Sequence, residues 1–132
     1  MKYLIRILFV FCLFLTSSSI LGQETIKGKF EHVVLFWMEN PDSEADKKKL
    51  INGMKELIKS SEFVVSAHLG VPAMTDREVV DNSYSINYTV TFNSKKDQEA
   101  YQIEKVHKDF IEKHQHLWSK VLIYDSINLL EE

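Results

Sequence analysis

Tyr101 and His107 are the two side chains of this sequence whose types and spacing best suit proton transfer on a small organic molecule. Histidine titrates near neutral pH, so its imidazole is a natural acceptor for a proton on carbon. A phenol beside it can hold a developing enolate or orient a carbonyl. The two stand six residues apart, in a stretch from Ser94 to about Ser119 that reads as helical throughout. An uninterrupted helix would set them about 120° apart around its axis, bordering one face. They would then converge only on a guest lying over Ile103 and Phe110. The plain alternative is packing: Tyr101 against the core with its hydroxyl at the rim, and His107 a core-edge histidine bonded to backbone.

The other histidines make a poor metal set. His107 and His114 share a helical face but lie two turns apart, while His114 and His116 point to different sides. No His-Glu-x-x-His spacing occurs, so no metal site is expected. His68 and Asn87 fall on what read as the polar faces of their strands. Asn87-Tyr88-Thr89 fits a glycosylation triplet, but its mid-strand place argues against use. Trp37, Tyr88 and Trp118 read as core aromatics.

These side chains need a scaffold, and the hydrophobic pattern supplies one. His32 to Met38 is apolar at nearly every position, as in a strand buried on both faces. Asn40 to Glu44 is a turn, with Ser43 placed to cap a helix and Asp46 three residues beyond it. Leu50, Ile51, Met54, Leu57 and Ile58 recur at helical spacing. Gly53 weakens that helix by about 1 kcal/mol relative to alanine, so it marks close packing or space for a ligand. A second strand is expected over Phe63–Val71, followed by a polar connection over Ala73–Ser83. Tyr84, Ile86, Tyr88, Val90 and Phe92 then alternate with polar residues, as in a half-buried strand. Ser94 and Asp97 open the second helical region, along which Ala100, Ile103, His107, Phe110, Ile111, His114 and Trp118 form one stripe. Val121 to Tyr124 begins the last strand.

Strand, helix, strand, strand, helix, strand is the ferredoxin-like βαββαβ plan of the α+β class. It forms a four-stranded antiparallel sheet with both helices on one face. The helices cover one side only, yet the first and last strands are apolar on both. A second copy of the chain is the simplest cover, since closed homodimers are the commonest assembly. The lead-in or the 73–83 connection is the other candidate.

Residues 1–22 read as a secretory signal: Lys2 and Arg6, an apolar run from Ile7 to Leu15, then small polar residues ending at Gly22. The expectation is an exported protein, periplasmic or extracellular, with residues 23–30 a polar lead-in and 31–132 the folded domain. Cys12 is the only cysteine, so the mature chain would hold neither disulfide nor thiol nucleophile. Without Lys2 and Arg6, 14 basic side chains face 19 acidic ones, a net charge of −5. No basic stripe stands out, which argues against nucleic acid or an anionic membrane as partner. Nucleotide-binding glycine loops are also lacking, and no cofactor is called for.

Four pieces in order resemble the stress-responsive A/B-barrel (Dabb) family: His32-Val-Val-Leu-Phe, Tyr84 to Ser94, Tyr101-x5-His107-x2-Phe110, and Trp118-Ser-Lys-Val-Leu-Ile-Tyr-Asp125. The resemblance spans about His32 to Ile127. It implies a dimeric α+β barrel, two sheets facing each other, with a small pocket in each subunit between sheet and helices. Plant polyketide cyclases of that family use a first-strand histidine, a tyrosine, and a histidine six residues beyond it. His32, Tyr101 and His107 match these positions. Two other pocket positions depart, with Ile86 in place of a histidine and Met54 in place of a tyrosine. The proline usual between the tyrosine and the histidine is also missing, with Glu104-Lys105-Val106 in its place.

The resemblance thus points to a pocket of His32, Tyr101, His107, Met54, Ile86 and Phe110. One reading is a homodimeric binder of a small apolar or aromatic molecule. Another is a cyclase- or isomerase-type enzyme, with His107 as general base and Tyr101 orienting a carbonyl. A haem- or quinone-handling monooxygenase shares the architecture, but no residue pattern calls for it.

Overall fold

The computed structural model describes residues 25–130. The signal-like segment 1–22 lies outside the described residues. The elements are β1 (Phe30–Met38), α1 (Glu44–Ser60), β2 (Ser66–Gly70), β3 (Ile86–Phe92), α2 (Lys95–Ile103), α3 (Lys105–His114), a 3-10 turn (Gln115–Leu117) and β4 (Trp118–Ile127). The strands form one antiparallel sheet in the order β2-β3-β1-β4. That is the ferredoxin-like plan, with the second helical region divided in two.

Alternation along β1 decides what each face of the sheet does. Phe30, His32, Val34, Phe36 and Met38 are buried towards the helices, and Ile86, Tyr88, Val90 and Phe92 of β3 lie beside them. Leu50, Met54 and Leu57 of α1, Tyr101 of α2 and Phe110 of α3 close the core from above. Full burial of a large apolar side chain contributes about 1.5–3 kcal/mol, so this layer dominates the stability. Ser43 caps α1 by accepting from the Asp46 N–H, and Ser94 caps α2 by accepting from the Asp97 N–H. Both caps stand where the sequence places them.

Several elements differ from expectation; β3, for one, starts at Ile86 rather than Tyr84. β2 starts at Ser66 rather than Phe63, because the N–H groups of Glu62 and Phe63 bond to Glu104 Oε1 and Ser61 Oγ instead of a neighbouring strand. β4 begins at Trp118, not Val121, where Met38 pairs with Trp118 across an irregularity in the register. The region from Ser94 to Ser119 is not one helix. It breaks at Glu104, whose φ of −59° and ψ of 140° are extended rather than helical. Ile103, expected on the apolar stripe, is consequently 69% exposed.

The opposite face of the sheet is divided. Its β2–β3 half carries His68, Asn87 and Thr89, and the lead-in crosses it where Thr91 Oγ1 and Ser66 Oγ both donate to the Lys27 carbonyl. Gly28 serves this crossing: its φ is +106°, and a Cβ there would meet the Thr91 side chain at 2.6 Å. The β1–β4 half is apolar, with Val33, Leu35 and Trp37 beside Leu122 and Tyr124. At its rim, Trp37 donates to Ser83 Oγ at the end of the 71–85 connection and stacks under Lys120. Leu122 and Tyr124 are nonetheless 36% and 58% exposed.

Candidate functional site

His32 sits near the start of β1, on the helix-facing side and 4% exposed. Its Cα partner on β4 is Asp125, and antiparallel pairing puts both side chains on the same face. His32 Nδ1 lies 2.6 Å from Asp125 Oδ1. An ionised carboxylate only accepts, so Nδ1 carries the proton and donates it to Asp125. The bond fixes the ring and leaves Nε2 as the nitrogen for a guest.

Tyr101, on the last turn of α2, is buried against Phe92, and its hydroxyl oxygen is 2.9 Å from that of Tyr88 on β3. One hydroxyl must donate and the other accept, which leaves one O–H free to donate further. Burial pushes the Tyr88 phenol up to about 12, and drives Tyr101 higher still, its neighbour Tyr88 adding to the effect. Both phenols therefore stay protonated and act as neutral donors.

His107 comes from the first turn of α3. Its ring centroid is 4.5 Å from that of Tyr101. Its Nδ1 is 3.2 Å from the Gln102 carbonyl oxygen, which accepts the Nδ1 proton and leaves the Nε2 lone pair free. Burial holds His107 below the usual imidazole range; the Gln102 bond opposes this, and neighbouring His32 reinforces it. At neutral pH the ring is uncharged, the state a general base requires.

These groups surround a cavity of about 130 Å³ between sheet and helices, lined by His32, Tyr88, Tyr101, Gln102, His107 and Phe110. Its remaining wall is apolar, including Val34, Phe36, Leu57 and Trp118. Val121 and Ile123 of edge strand β4 line it too, and at 40% and 47% exposure they mark its solvent side. An apolar cavity of about 150 Å³ accepts benzene, so the space suits a single ring or a short chain. The structure thus brings His32, Tyr101, His107 and Phe110 together. Met54 and Ile86 are fully buried in the core and do not line the cavity.

Other hollows are larger, among them two of about 480 Å³. One is a groove between α1 and α3, carrying Lys49, Glu56, Asp109 and Lys113. The other lies on the opposite sheet face beside His68. His114, at the groove, bonds through Nδ1 to the Phe110 carbonyl and packs its ring on Gly53. Gly53 is therefore a close-packing glycine. Among the described residues, no group of three or more His, Cys, Asp or Glu side chains could hold a metal ion. No described helix is long and apolar enough to cross a membrane.

Asp125, Tyr88 and Gln102 belong to the site, although the sequence alone does not mark them as site residues. Asp125 had one legible signal: it continues the alternation of Val121 and Ile123, so it shares their face. Pairing it with His32 requires the β1–β4 register.

A four-stranded antiparallel sheet in the order β2-β3-β1-β4, with its helices on one face, is the ferredoxin-like arrangement of the α+β class. The chain belongs to the stress responsive A/B barrel domain family, whose model matches residues 30–128. It is similar to a solved protein from Arabidopsis thaliana, with a TM-score of 0.65 and 24% identity over 75% of this chain and 94% of that one. A dimeric ferredoxin-like protein of unknown function from Thermobifida fusca aligns with a TM-score of 0.62 and 12% identity, covering 80% of this chain and 97% of the other. The hydroxynitrile lyase from Passiflora edulis aligns with a TM-score of 0.64 and 17% identity, over 76% and 94% of the two chains. No curated protein matches the chain.

Proposed function

We propose that the chain is a homodimeric small-molecule-binding protein, each subunit holding a small apolar or aromatic guest with a carbonyl or hydroxyl group. The observation that carries this reading is the convergence of His32, Tyr101 and His107 on one apolar cavity of about 130 Å³. Their free polar atoms would orient the guest and the apolar wall would desolvate it. The homodimer is supported by the exposed apolar strip of Leu122 and Tyr124 and by dimeric proteins of the same fold. Calorimetry with phenol, benzaldehyde and toluene tests the binding. Phenol and benzaldehyde should bind more tightly than toluene; equal or absent binding of all three would remove the proposal.

A second reading is proton transfer next to a carbonyl, favoured by the uncharged His107 ring with its Nε2 lone pair free. His107 Nε2 would take the proton from carbon, and the free Tyr hydroxyl would hydrogen-bond the carbonyl oxygen as it gains charge. Exchange of the methyl protons of acetophenone in D2O, lost in His107→Ala, is the test. A cavity the size of one ring gives no support to haem handling.

Export is proposed on the basic start and apolar run of residues 1–22. Intact mass of the secreted protein should begin at or near Gln23, and a species retaining residues 1–22 in membranes would contradict it.

A further inference from the structure

We propose that Glu104 is a positioning residue: its carboxylate, docked on the end of α1, holds open the break between α2 and α3 that brings His107 to the cavity. The proposal rests on the cavity being the functional site.

Glu104 Oε2 accepts from Ser61 Oγ at 2.8 Å, and Oε1 accepts from the Glu62 N–H at 2.9 Å. Both partners lie just beyond the end of α1, more than forty residues earlier in the chain. With both oxygens engaged, the side chain is pinned to a neighbouring element, and its own backbone is extended, with ψ 140°. Its N–H still closes α2 on the Tyr101 carbonyl, and its carbonyl opens α3 by accepting from Lys108. One residue therefore ends one helix and starts the next.

The break decides the chemistry of His107. In a continuous helix the Gln102 carbonyl would accept from the N–H of Val106, four residues on. Here it accepts from His107 Nδ1 instead, at 3.2 Å. That contact selects the tautomer with Nε2 unprotonated. The local sequence does not enforce the break: neither proline nor glycine occurs between Tyr101 and His107. Glutamate, lysine and valine all tolerate helix, so the conformation must be imposed from outside. The docked carboxylate is the group that imposes it.

Proline offers an independent way to hold the same backbone. Lys105 is the first residue of α3, where proline is well tolerated, and the residue before a proline is driven to the extended conformation that Glu104 adopts. The test is nitrogen NMR of the His107 ring at neutral pH, with phenol affinity measured alongside. Wild type should show a protonated Nδ1. Glu104→Ala should shift the ring towards protonation at Nε2 and weaken phenol by about 2- to 13-fold, the range for one lost hydrogen bond. Glu104→Gln, which retains one acceptor oxygen, should fall between them. Glu104→Ala combined with Lys105→Pro should restore the wild-type tautomer and affinity.

A wild-type tautomer in Glu104→Ala would overturn the proposal, and so would failure of the proline to restore it. If Glu104→Ala does not fold, Glu104→Gln and the double variant give the same comparison. If phenol binds none of these proteins, the cavity reading fails, and the tautomer series still decides the role of Glu104.

Discussion

The Tyr101 and His107 rings meet at 4.5 Å between centroids, although five residues and a helix break separate them in the chain. Helical continuity would have spread them about 120° around one axis. The break converts two positions on a helix border into neighbours over one cavity. It also leaves Ile103, which the apolar stripe would place towards the core, exposed to solvent. Site geometry here depends on a local departure from periodicity.

Acid should destabilise the fold through His107. Burial lowers its pKa from the ordinary 6.5, so between the folded and unfolded values the unfolded chain binds more protons. The contribution is fully present above about pH 6.5 and is lost as pH falls through the folded pKa. His114, shifted the same way mainly by burial, acts in the same window. Thermal melts from pH 7.5 to 5.5 should show Tm falling, with a shallower fall in His107→Gln. A flat or rising Tm would contradict the assignment.

Adjacent valines on β1 should respond differently to charge. Val34 is buried under the helices, whereas Val33 faces the apolar strip with Leu122 and Tyr124. Val34→Asp loses about 1.5–3 kcal/mol of burial and strands a charge in the core, so it should unfold the subunit. Val33→Asp should leave the subunit folded and dissociate the proposed dimer. Circular dichroism and sedimentation read the two effects separately. Identical behaviour of the two variants would be inconsistent with this division of faces.

Gly53→Ala should destabilise despite alanine's higher helix propensity. The new Cβ would meet the His114 ring at 2.6 Å, and that ring is buried, stacked on Phe110 and bonded to its carbonyl. Overpacking costs about 1–3 kcal/mol, against a propensity gain of about 1 kcal/mol. Denaturant melts should show a net loss of roughly 1 kcal/mol. A gain in stability would mean that the ring moves aside freely.

Local physics made much of this legible in the sequence. Ser43 with Asp46, Ser94 with Asp97, and the apolar face of Ile86, Tyr88, Val90 and Phe92 stand as read, although the strand starts at Ile86 rather than Tyr84 and Thr91 on the other face is buried as well. Each depends only on residues a few positions apart. The helix break did not show, because the groups holding Glu104 lie at Ser61 and Glu62. The His32–Asp125 pair was hidden for a similar reason: neither residue reveals the register that sets them opposite each other. Only the family resemblance points Met54 and Ile86 to the pocket, and their complete burial follows from the heart of the sheet–helix layer where they sit.

The central claim is that His32 and His107 share a small-molecule site with Tyr101. Nitrogen-resolved NMR of the histidine rings during a phenol titration tests it most directly. The rings of His32 and His107 should shift together along one saturating curve, while those of His68 and His116, which line no part of this cavity, stay still. Tyr101→Phe should weaken that curve by about 2- to 13-fold. Saturation that leaves both His32 and His107 unmoved would contradict the account.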